Sequence, residues 1–156
     1  MTTGRGAFAP SSRSLSGGFE IEGSVETAFE LFSPLGEKLW VPGWNPEILH
    51  PPGATWERGL VFRTQEEQGE AVWVVTSFDR ERHEVEYFRL EAGRYVASVR
   101  VRCHARGARH TEAKVTYAFV GLSEAGNREI EGLTQRAYEE KMKRWRGWIG
   151  RHLASL

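Results

Sequence analysis

The sequence predicts an α+β domain in which a curved antiparallel sheet of about seven strands wraps around a long C-terminal helix. Between residues 59 and 122, β-rich segments follow one another with short turns of glycine or charged residues, which is typical of antiparallel hairpins. From about Ser123 the apolar residues recur at helical spacing and form a broad stripe. A helix with such a stripe needs a large partner surface, and the sheet is the only candidate of sufficient size.

The chain before this sheet predicts one strand followed by two short helices. Residues 17–23, GGFEIEG, alternate apolar and acidic side chains as a half-buried strand does. Ser24 is a suitable N-cap for the first helix, and Pro34 and Gly36 end it. The second short helix is expected from Glu37 to Trp40.

Five further strands are predicted from their β-branched and aromatic content. Their segments are LVFRTQ, AVWVVTSF, HEVEYFRLE, YVASVRVRCHA and TEAKVTYAFVGL. Two of them align by charge when Glu86 lies opposite Arg100 and Glu84 lies opposite Arg102, each pair contributing about 0.2–1 kcal/mol. A slip by one residue loses both pairs, so the charges favour this register.

This register turns a mainly apolar face of the sheet toward the helix. Its members are Val85, Tyr87, Arg89, Val99, Val101, Cys103, Ala113, Val115, Tyr117 and Phe119. The strand AVWVVTSF is apolar on both faces, so two registers stay open for it. The favoured register turns inward Trp73, Val75 and Ser77. The other turns inward Val72, Val74 and Phe78.

Composition limits the classes of function. The 21 basic and 21 acidic residues give a net charge of zero, which argues against nucleic acid as the main partner. The single cysteine, Cys103, leaves no internal disulfide and fits a reducing compartment, so we expect a cytoplasmic protein. No apolar run approaches the roughly 18 residues of a membrane helix. The Gly- and Ser-rich residues 1–15 are predicted to be a flexible arm, and residues 16–156 a single domain.

Residues that commonly carry catalytic and metal chemistry form no recognised pattern. The five histidines make no helical pair with another ligand, and we expect neither a metal nor a cofactor. Cys103 is interpreted as a small core residue. Arg89 is the most informative polar candidate, because an inward guanidinium needs a carboxylate, a ring face or a ligand anion. Glu91 and Trp73 could satisfy it, or Arg89 could extend to the rim.

The order of elements and one local segment resemble the START-like superfamily, also called SRPBCC or polyketide cyclase/dehydrase-like, which has the helix-grip fold. The segment is AFELFSPLGEKLWVPGWNPEI, with Phe29 and Phe32 in its first helix and Trp-Asn-Pro at residues 44–46. The resemblance covers roughly residues 16–154, and the insertion EKLWVPG departs from the family pattern. It implies a cavity between sheet and helix for a hydrophobic or amphipathic molecule that is lipid-like, polyketide-like or aromatic. It does not imply catalysis.

The resemblance and the inward face together select ten candidate residues for the cavity. They are Trp40, Trp44, Trp73, Tyr87, Arg89, Val99, Val101, Tyr117, Leu133 and Tyr138. Two of these, Trp40 and Trp44, lie in the proline-rich stretch 36–53. They either wall the mouth of the cavity or plug the end of the core.

Three functions are compatible with these observations. The first, and favoured, is binding of a hydrophobic or amphipathic small molecule. The second is a polyketide cyclase or dehydratase that uses Arg89 and tyrosines as acid or oxyanion donors, which requires those groups to converge. The third is a protein-interaction module that uses an apolar stripe on the outer sheet face to form a homodimer or to bind another partner. That stripe would consist of Val72, Val74, Phe88 and Leu90.

Overall fold

The structure is a computed structural model that describes residues 7–156. In chain order its elements are β1 (Ser12–Ile21), α1 (Val25–Glu30), α2 (Pro34–Glu37), β2 (Glu47–His50), β3 (Val61–Glu66), β4 (Gly69–Asp79), β5 (Glu84–Glu91), β6 (Tyr95–Gly107), β7 (His110–Gly121), α3 (Glu124–Glu131) and α4 (Gln135–Ala154). The seven strands form one antiparallel sheet in the order β1-β7-β6-β5-β4-β3-β2. The predicted α+β class, the strand number and the two short helices after the first strand are confirmed.

The long helix α4 packs on the inner face of this curved sheet. Its buried side chains Tyr138, Met142 and Ile149 join the core. The glycines of β1 permit the approach, since a Cβ on Gly17 would lie 3.0 Å from Met142 Cγ. The sheet and α4 therefore meet where the apolar stripe predicted them to meet.

The register predicted from charge is confirmed. Glu86 pairs with Arg100 and Glu84 with Arg102, and Arg100 Nη2 lies 3.3 Å from a carboxylate oxygen of Glu86. The predicted inward residues are buried, with the exception of Arg89, which is half-buried. The outer face carries the pairs Val72–Leu90 and Val74–Phe88, so the predicted apolar stripe does lie on one face.

Strand β4 follows the favoured register only in part. Trp73 and Val75 are buried as predicted, but the pairing shifts between Val75 and Ser77. This bulge inserts one extra residue and reverses the faces beyond it. Ser77 is therefore exposed, contrary to prediction, and Phe78 packs inward at 5.8 Å from the ring of Phe29.

The predicted flexible arm over residues 1–15 is contradicted at its last four residues, which belong to a strand. Strand β1 begins at Ser12, where it pairs with Val120 of β7, and Leu15 is buried. Gly- and Ser-rich composition did not prevent pairing, because the edge of β7 offers backbone partners along the whole segment. Residues 1–6 lie outside the described part of the chain.

The second short helix begins earlier than predicted. Ser33 caps α2 by accepting a hydrogen bond from Gly36 N at 2.9 Å, and Pro34 occupies the first turn. The predicted range from Glu37 to Trp40 instead holds the end of α2 and the turns after it. Ser24 caps α1 as predicted, accepting from Thr27 N at 3.2 Å.

The C-terminal segment forms two helices where one was predicted from about Ser123. The chain leaves helical geometry at Gly132, the C-cap of α3, and Thr134 caps α4. Leu133 lies between the two helices and packs partly buried against the core. Apolar periodicity continues across the break, which is why the sequence suggested one helix.

Removing the cap of α4 should measurably weaken the fold. Thr134 Oγ1 accepts a hydrogen bond from Ala137 N at 3.1 Å. We expect Thr134→Ala to lower the free energy of unfolding by about 1 kcal/mol, and Thr134→Ser to restore most of it. Urea denaturation of the three proteins checks this, and an alanine variant as stable as the serine variant would contradict it.

Candidate functional site

A cavity of about 70 Å³ lies between the concave face of the sheet and the helices α2 and α4, and is called here the inner cavity. It is lined by Pro34, Glu37, Val41, Trp44, Phe62, Trp73, Tyr87, Val99, Val101, Tyr117 and Trp145. Its volume corresponds to about two water molecules. Because most of its wall is aromatic, the inner cavity suits an apolar or π-rich group.

Aromatic rings on neighbouring elements fix the shape of the inner cavity. Phe62 of β3 pairs with Trp73 of β4, and their rings stack with centroids 5.5 Å apart. Trp44 meets both rings edge-on, at 6.2 and 5.7 Å. Tyr87 of β5 meets the ring of Trp73 edge-on at 6.1 Å. Interlocked rings of this kind resist collapse, so the space between them persists.

The two tryptophans of the proline-rich stretch differ in position: one lies in the core and the other lines the inner cavity. Trp40 is buried, donates from Nε1 to Leu31 O at 2.7 Å and packs edge-on against Trp145. It lies behind the cavity wall and plugs the core. Trp44 lines the inner cavity, and its Nε1 donates to Pro34 O at 2.8 Å.

Glu37 places a carboxyl group in this aromatic wall. It stands at the end of α2 and lines the inner cavity. Within residues 7–156 no hydrogen bond engages the carboxyl. Burial raises the pKa of Glu37 well above the usual value for a carboxyl group, and the attraction of Lys141 opposes this only in part. The inner cavity therefore contains an acid that is neutral at an unusually high pH.

This burial makes stability depend on pH. The folded state holds the Glu37 proton more tightly than the unfolded state, so stability falls as pH rises from the unfolded pKa of Glu37 through its folded pKa. The free energy of unfolding of Glu37→Gln should therefore exceed that of the wild type by about 1 kcal/mol or more at pH 8. At pH 5 the difference should be smaller. Denaturation at both values checks this. Glu81 lies on an exposed turn, so Glu81→Gln is the control. Its free energy of unfolding should change between pH 5 and pH 8 by the same amount as that of the wild type.

A second space, called here the outer pocket, adjoins the inner cavity and measures about 410 Å³. It is lined by Arg89, Tyr95, Tyr117, Phe119, Arg128, Glu129, Ile130, Gly132, Leu133 and Lys141. Tyr117 belongs to the walls of both spaces. Lys141 Nζ lies 4.3 Å from the ring centroid of Tyr117 and 5.3 Å from that of Trp145. Lys141 thus stands where the two spaces meet.

Arg89 faces inward and forms ion pairs within the protein, although its buried Nε has no hydrogen-bond partner within residues 7–156. Its Nη2 lies 3.2 Å from a carboxylate oxygen of Glu66 and pairs with Glu91. Its guanidinium carbon lies 5.0 Å from the ring centroid of Trp73. Both partners proposed from the sequence, Glu91 and Trp73, are therefore present. Arg89 borders the outer pocket and does not line the inner cavity.

The donors named in the cyclase hypothesis are divided between the two spaces and the core. Tyr87 donates its hydroxyl proton to Phe32 O at 2.7 Å and accepts from Trp56 Nε1 at 2.9 Å. Tyr138 donates to Val115 O at 2.7 Å. Arg89 lines the outer pocket together with Tyr95 and Tyr117, whereas Tyr87 lines the inner cavity and Tyr138 lines neither space. The proposed donors therefore do not all meet at one point.

The candidate residues fall into three groups. Six line the inner cavity: Trp44, Trp73, Tyr87, Val99, Val101 and Tyr117. Arg89 and Leu133 line the outer pocket with Tyr117, whereas Trp40 and Tyr138 line neither space. Sequence reasoning did not select Glu37, Phe62 or Lys141. Glu37 had a usable signal, since cavity-lining residues 34, 37, 41 and 44 recur at helical spacing.

The described part of the chain contains neither a metal-ligand cluster nor a thiol of lowered pKa. Residues 7–156 contain no group of three His, Cys, Asp or Glu that could hold a metal ion. Within the same residues, no helix is long and apolar enough to span a membrane. Burial raises the pKa of Cys103 to about 12, so this thiol is a core group and not a nucleophile. A wider groove of about 630 Å³ lies beside the C-terminal half of α4, away from the aromatic wall.

Comparison with known proteins identifies the fold. No model of a protein family and no curated protein matches the chain. The Zhui aromatase/cyclase of a Streptomyces species is 15% identical, with 92% of this chain and 96% of that chain covered and a TM-score of 0.67. Norcoclaurine synthase of Thalictrum flavum is 14% identical, with 94% of this chain and 95% of that chain covered and a TM-score of 0.64. A major latex-like protein of Panax ginseng is 13% identical, with 90% and 97% covered and a TM-score of 0.67.

The chain accordingly has the helix-grip fold that these structures share. The order of elements and the segment around residues 44–46 predicted this fold. At such low identity the likeness establishes the fold and no activity.

Proposed function

We propose that this protein binds a small amphipathic molecule between the sheet and α4. The narrow end of the ligand enters the inner cavity, and its bulkier part occupies the outer pocket. One observation carries the proposal: an aromatic-walled space remains open inside the core and shares Tyr117 with a larger pocket at the surface. Cores are otherwise packed to crystal-like density, so an aromatic-walled space of this kind points to a ligand.

Size supports a ligand that uses both spaces. Pockets for small molecules usually measure about 300–1,000 Å³. The inner cavity, at about 70 Å³, holds only the end of such a molecule, whereas the outer pocket, at about 410 Å³, holds the rest. Lys141 lies between them on a flexible four-carbon stem, so its movement would join the two. A long acyl chain fits this arrangement less well than a compact aromatic compound.

Structural relatives agree with an aromatic ligand. Norcoclaurine synthase of Thalictrum flavum has been solved in complex with dopamine and hydroxybenzaldehyde, which are small aromatic compounds. The stacked and edge-on rings of Phe62, Trp73 and Trp44 supply π-rich contacts for such a molecule.

We also propose a cytoplasmic location, because the one cysteine is an unpaired buried thiol.

Native mass spectrometry of freshly purified protein, followed by denaturing extraction, tests the binding proposal. We expect one low-mass aromatic compound per chain in the wild type. Val99→Phe, which fills the inner cavity, should abolish retention, whereas Val120→Phe on the outer face should keep it. Equal retention by both variants would contradict the proposed site. Failure of the wild type to retain a compound or to bind an added anilinonaphthalene sulfonate dye would contradict the function.

Self-association through the outer sheet face is a second candidate function. Phe88 and Leu90 of β5 are 41% and 38% exposed, and Val120 of β7 is 39% exposed. Apolar side chains this accessible on one face are typical of a contact surface. The same spectra report oligomeric state, and a dimer that Phe88→Glu dissociates would support this candidate.

A further inference from the structure

We propose that Glu37 is the recognition group of the inner cavity, where its carboxyl group donates a hydrogen bond to an uncharged acceptor on the ligand. The ligand class is a compound whose narrow end carries a carbonyl or amide oxygen. This inference rests on the proposed function and adds the chemistry that the inner cavity selects.

The other polar groups of the aromatic wall are mostly occupied. The indole N–H of Trp44 donates to Pro34 O, and that of Trp73 donates to Thr64 Oγ1 at 3.1 Å. The Tyr87 hydroxyl both donates and accepts within the protein. By contrast, no hydrogen bond within residues 7–156 engages the Glu37 carboxyl. A ligand in the inner cavity therefore meets Glu37 as a polar group with unused capacity.

Few charged groups face Glu37. Within residues 7–156, Lys141 of α4 is the one cation whose charge acts on it, and its attraction favours the ionised form. The lining contributed by β5 and β7 consists of Tyr87 and Tyr117, and burial raises the pKa of Tyr87 further above its usual value. The lining from β3, β4 and β6 carries no titratable group. Burial therefore outweighs the attraction of Lys141, and the pKa of Glu37 stays above its usual value.

A neutral carboxyl group in the inner cavity discriminates between ligands by the chemistry of their end group as well as by its shape. Its O–H group donates to a carbonyl or amide oxygen and requires no ion to leave water. A carboxylate ligand would bring an anion into an aromatic wall, which costs far more than burying a neutral group. An ammonium ligand would require Glu37 to ionise first. At about 70 Å³, the inner cavity admits an end group of only a few non-hydrogen atoms, such as an acetamide.

The test compares three probes of similar size, namely acetamide, acetate and methylammonium. Methyl NMR titrations follow Val99 and Val101, which line the inner cavity, in the wild type, Glu37→Gln and Glu37→Leu. At pH 6 we expect acetamide to shift these methyl signals saturably in the wild type, with affinity at least about tenfold above either ion. Glu37→Gln retains a donor and should bind acetamide within about threefold, whereas Glu37→Leu should lose about tenfold.

The pH dependence gives a second readout that does not need the leucine variant. Acetamide affinity of the wild type should fall as Glu37 ionises, whereas that of Glu37→Gln should stay constant. Unchanged methyl signals of Val115, a core residue outside the lining, show that each variant is folded. The inference would be overturned if Glu37→Leu bound acetamide as tightly as the wild type does. It would also be overturned if the wild type bound methylammonium more tightly than acetamide and Glu37→Gln abolished that binding. Either result would leave the proposed function standing. Failure of all three probes to move Val99 or Val101 would overturn both.

Discussion

Replacing Phe62 with alanine should lower the free energy of unfolding by about 3–5 kcal/mol. Phe62 is 1% exposed, stacks on Trp73 and meets Tyr87 edge-on at 6.1 Å. Truncation removes these contacts and leaves a void that joins the inner cavity. Since an apolar cavity that stays dry binds benzene, the variant should also gain affinity for benzene. Chemical denaturation with and without benzene measures both effects.

Phe88→Ala is the matched control for this change. Phe88 lies two strands away on the outer face and is 41% exposed, so its truncation creates no cavity. We expect a loss of about 1 kcal/mol or less and no benzene effect. A Phe62 variant that loses no more stability than Phe88→Ala would show that the aromatic wall is not as tightly packed as the structure indicates.

A methyl group on Gly126 should be nearly as damaging. A Cβ built there would lie 1.6 Å from Arg94 O, a backbone atom that also accepts from Leu122 N at 2.8 Å. Helix α3 would have to move away from the turn between β5 and β6, which also displaces the wall of the outer pocket. We expect Gly126→Ala to cost about 3 kcal/mol or more in the free energy of unfolding.

Gly150→Ala separates this clash from the intrinsic effect of the substitution. Gly150 lies within α4, is exposed, and a Cβ there would have no neighbour within 4 Å. Alanine is the better helix former, so this variant should gain about 0.5–1 kcal/mol. Thermal denaturation of the two variants checks the contrast, and equal stabilities would contradict the packing of α3 against Arg94.

The sheet was predictable because its signals are local and redundant. Alternating apolar residues and two opposite-charge pairs selected the register of β5 and β6, and a one-residue slip would have broken both signals. The bulge after Val75 was not predictable in this way. Both faces of β4 are apolar, so an extra residue leaves the hydrophobic pattern almost unchanged.

The candidate site was only partly predictable, because its two unselected polar groups resemble surface residues in the sequence. Glu37 follows a glycine in a proline-rich stretch, and the prediction started a helix there instead of continuing one. Helical spacing of residues 34, 37, 41 and 44 emerges only once Ser33 is known to cap α2. Lys141 lies among charged residues of the C-terminal helix, a pattern typical of a solvated helix face. Its ammonium nitrogen instead lies 4.3 Å from the ring centroid of Tyr117, a contact between distant parts of the chain.

Soaking crystals of the protein with 4-bromophenol tests the central claim most directly, because anomalous scattering locates the bromine. The binding proposal predicts an ordered bromine site between the sheet and α4, with the phenol ring within about 4.5 Å of Tyr117 or Trp73. Val99→Phe crystals soaked in the same way should lose that site. Bromine found only on the outer face beside Phe88, or at the same interior position in the Val99→Phe variant, would contradict the claim.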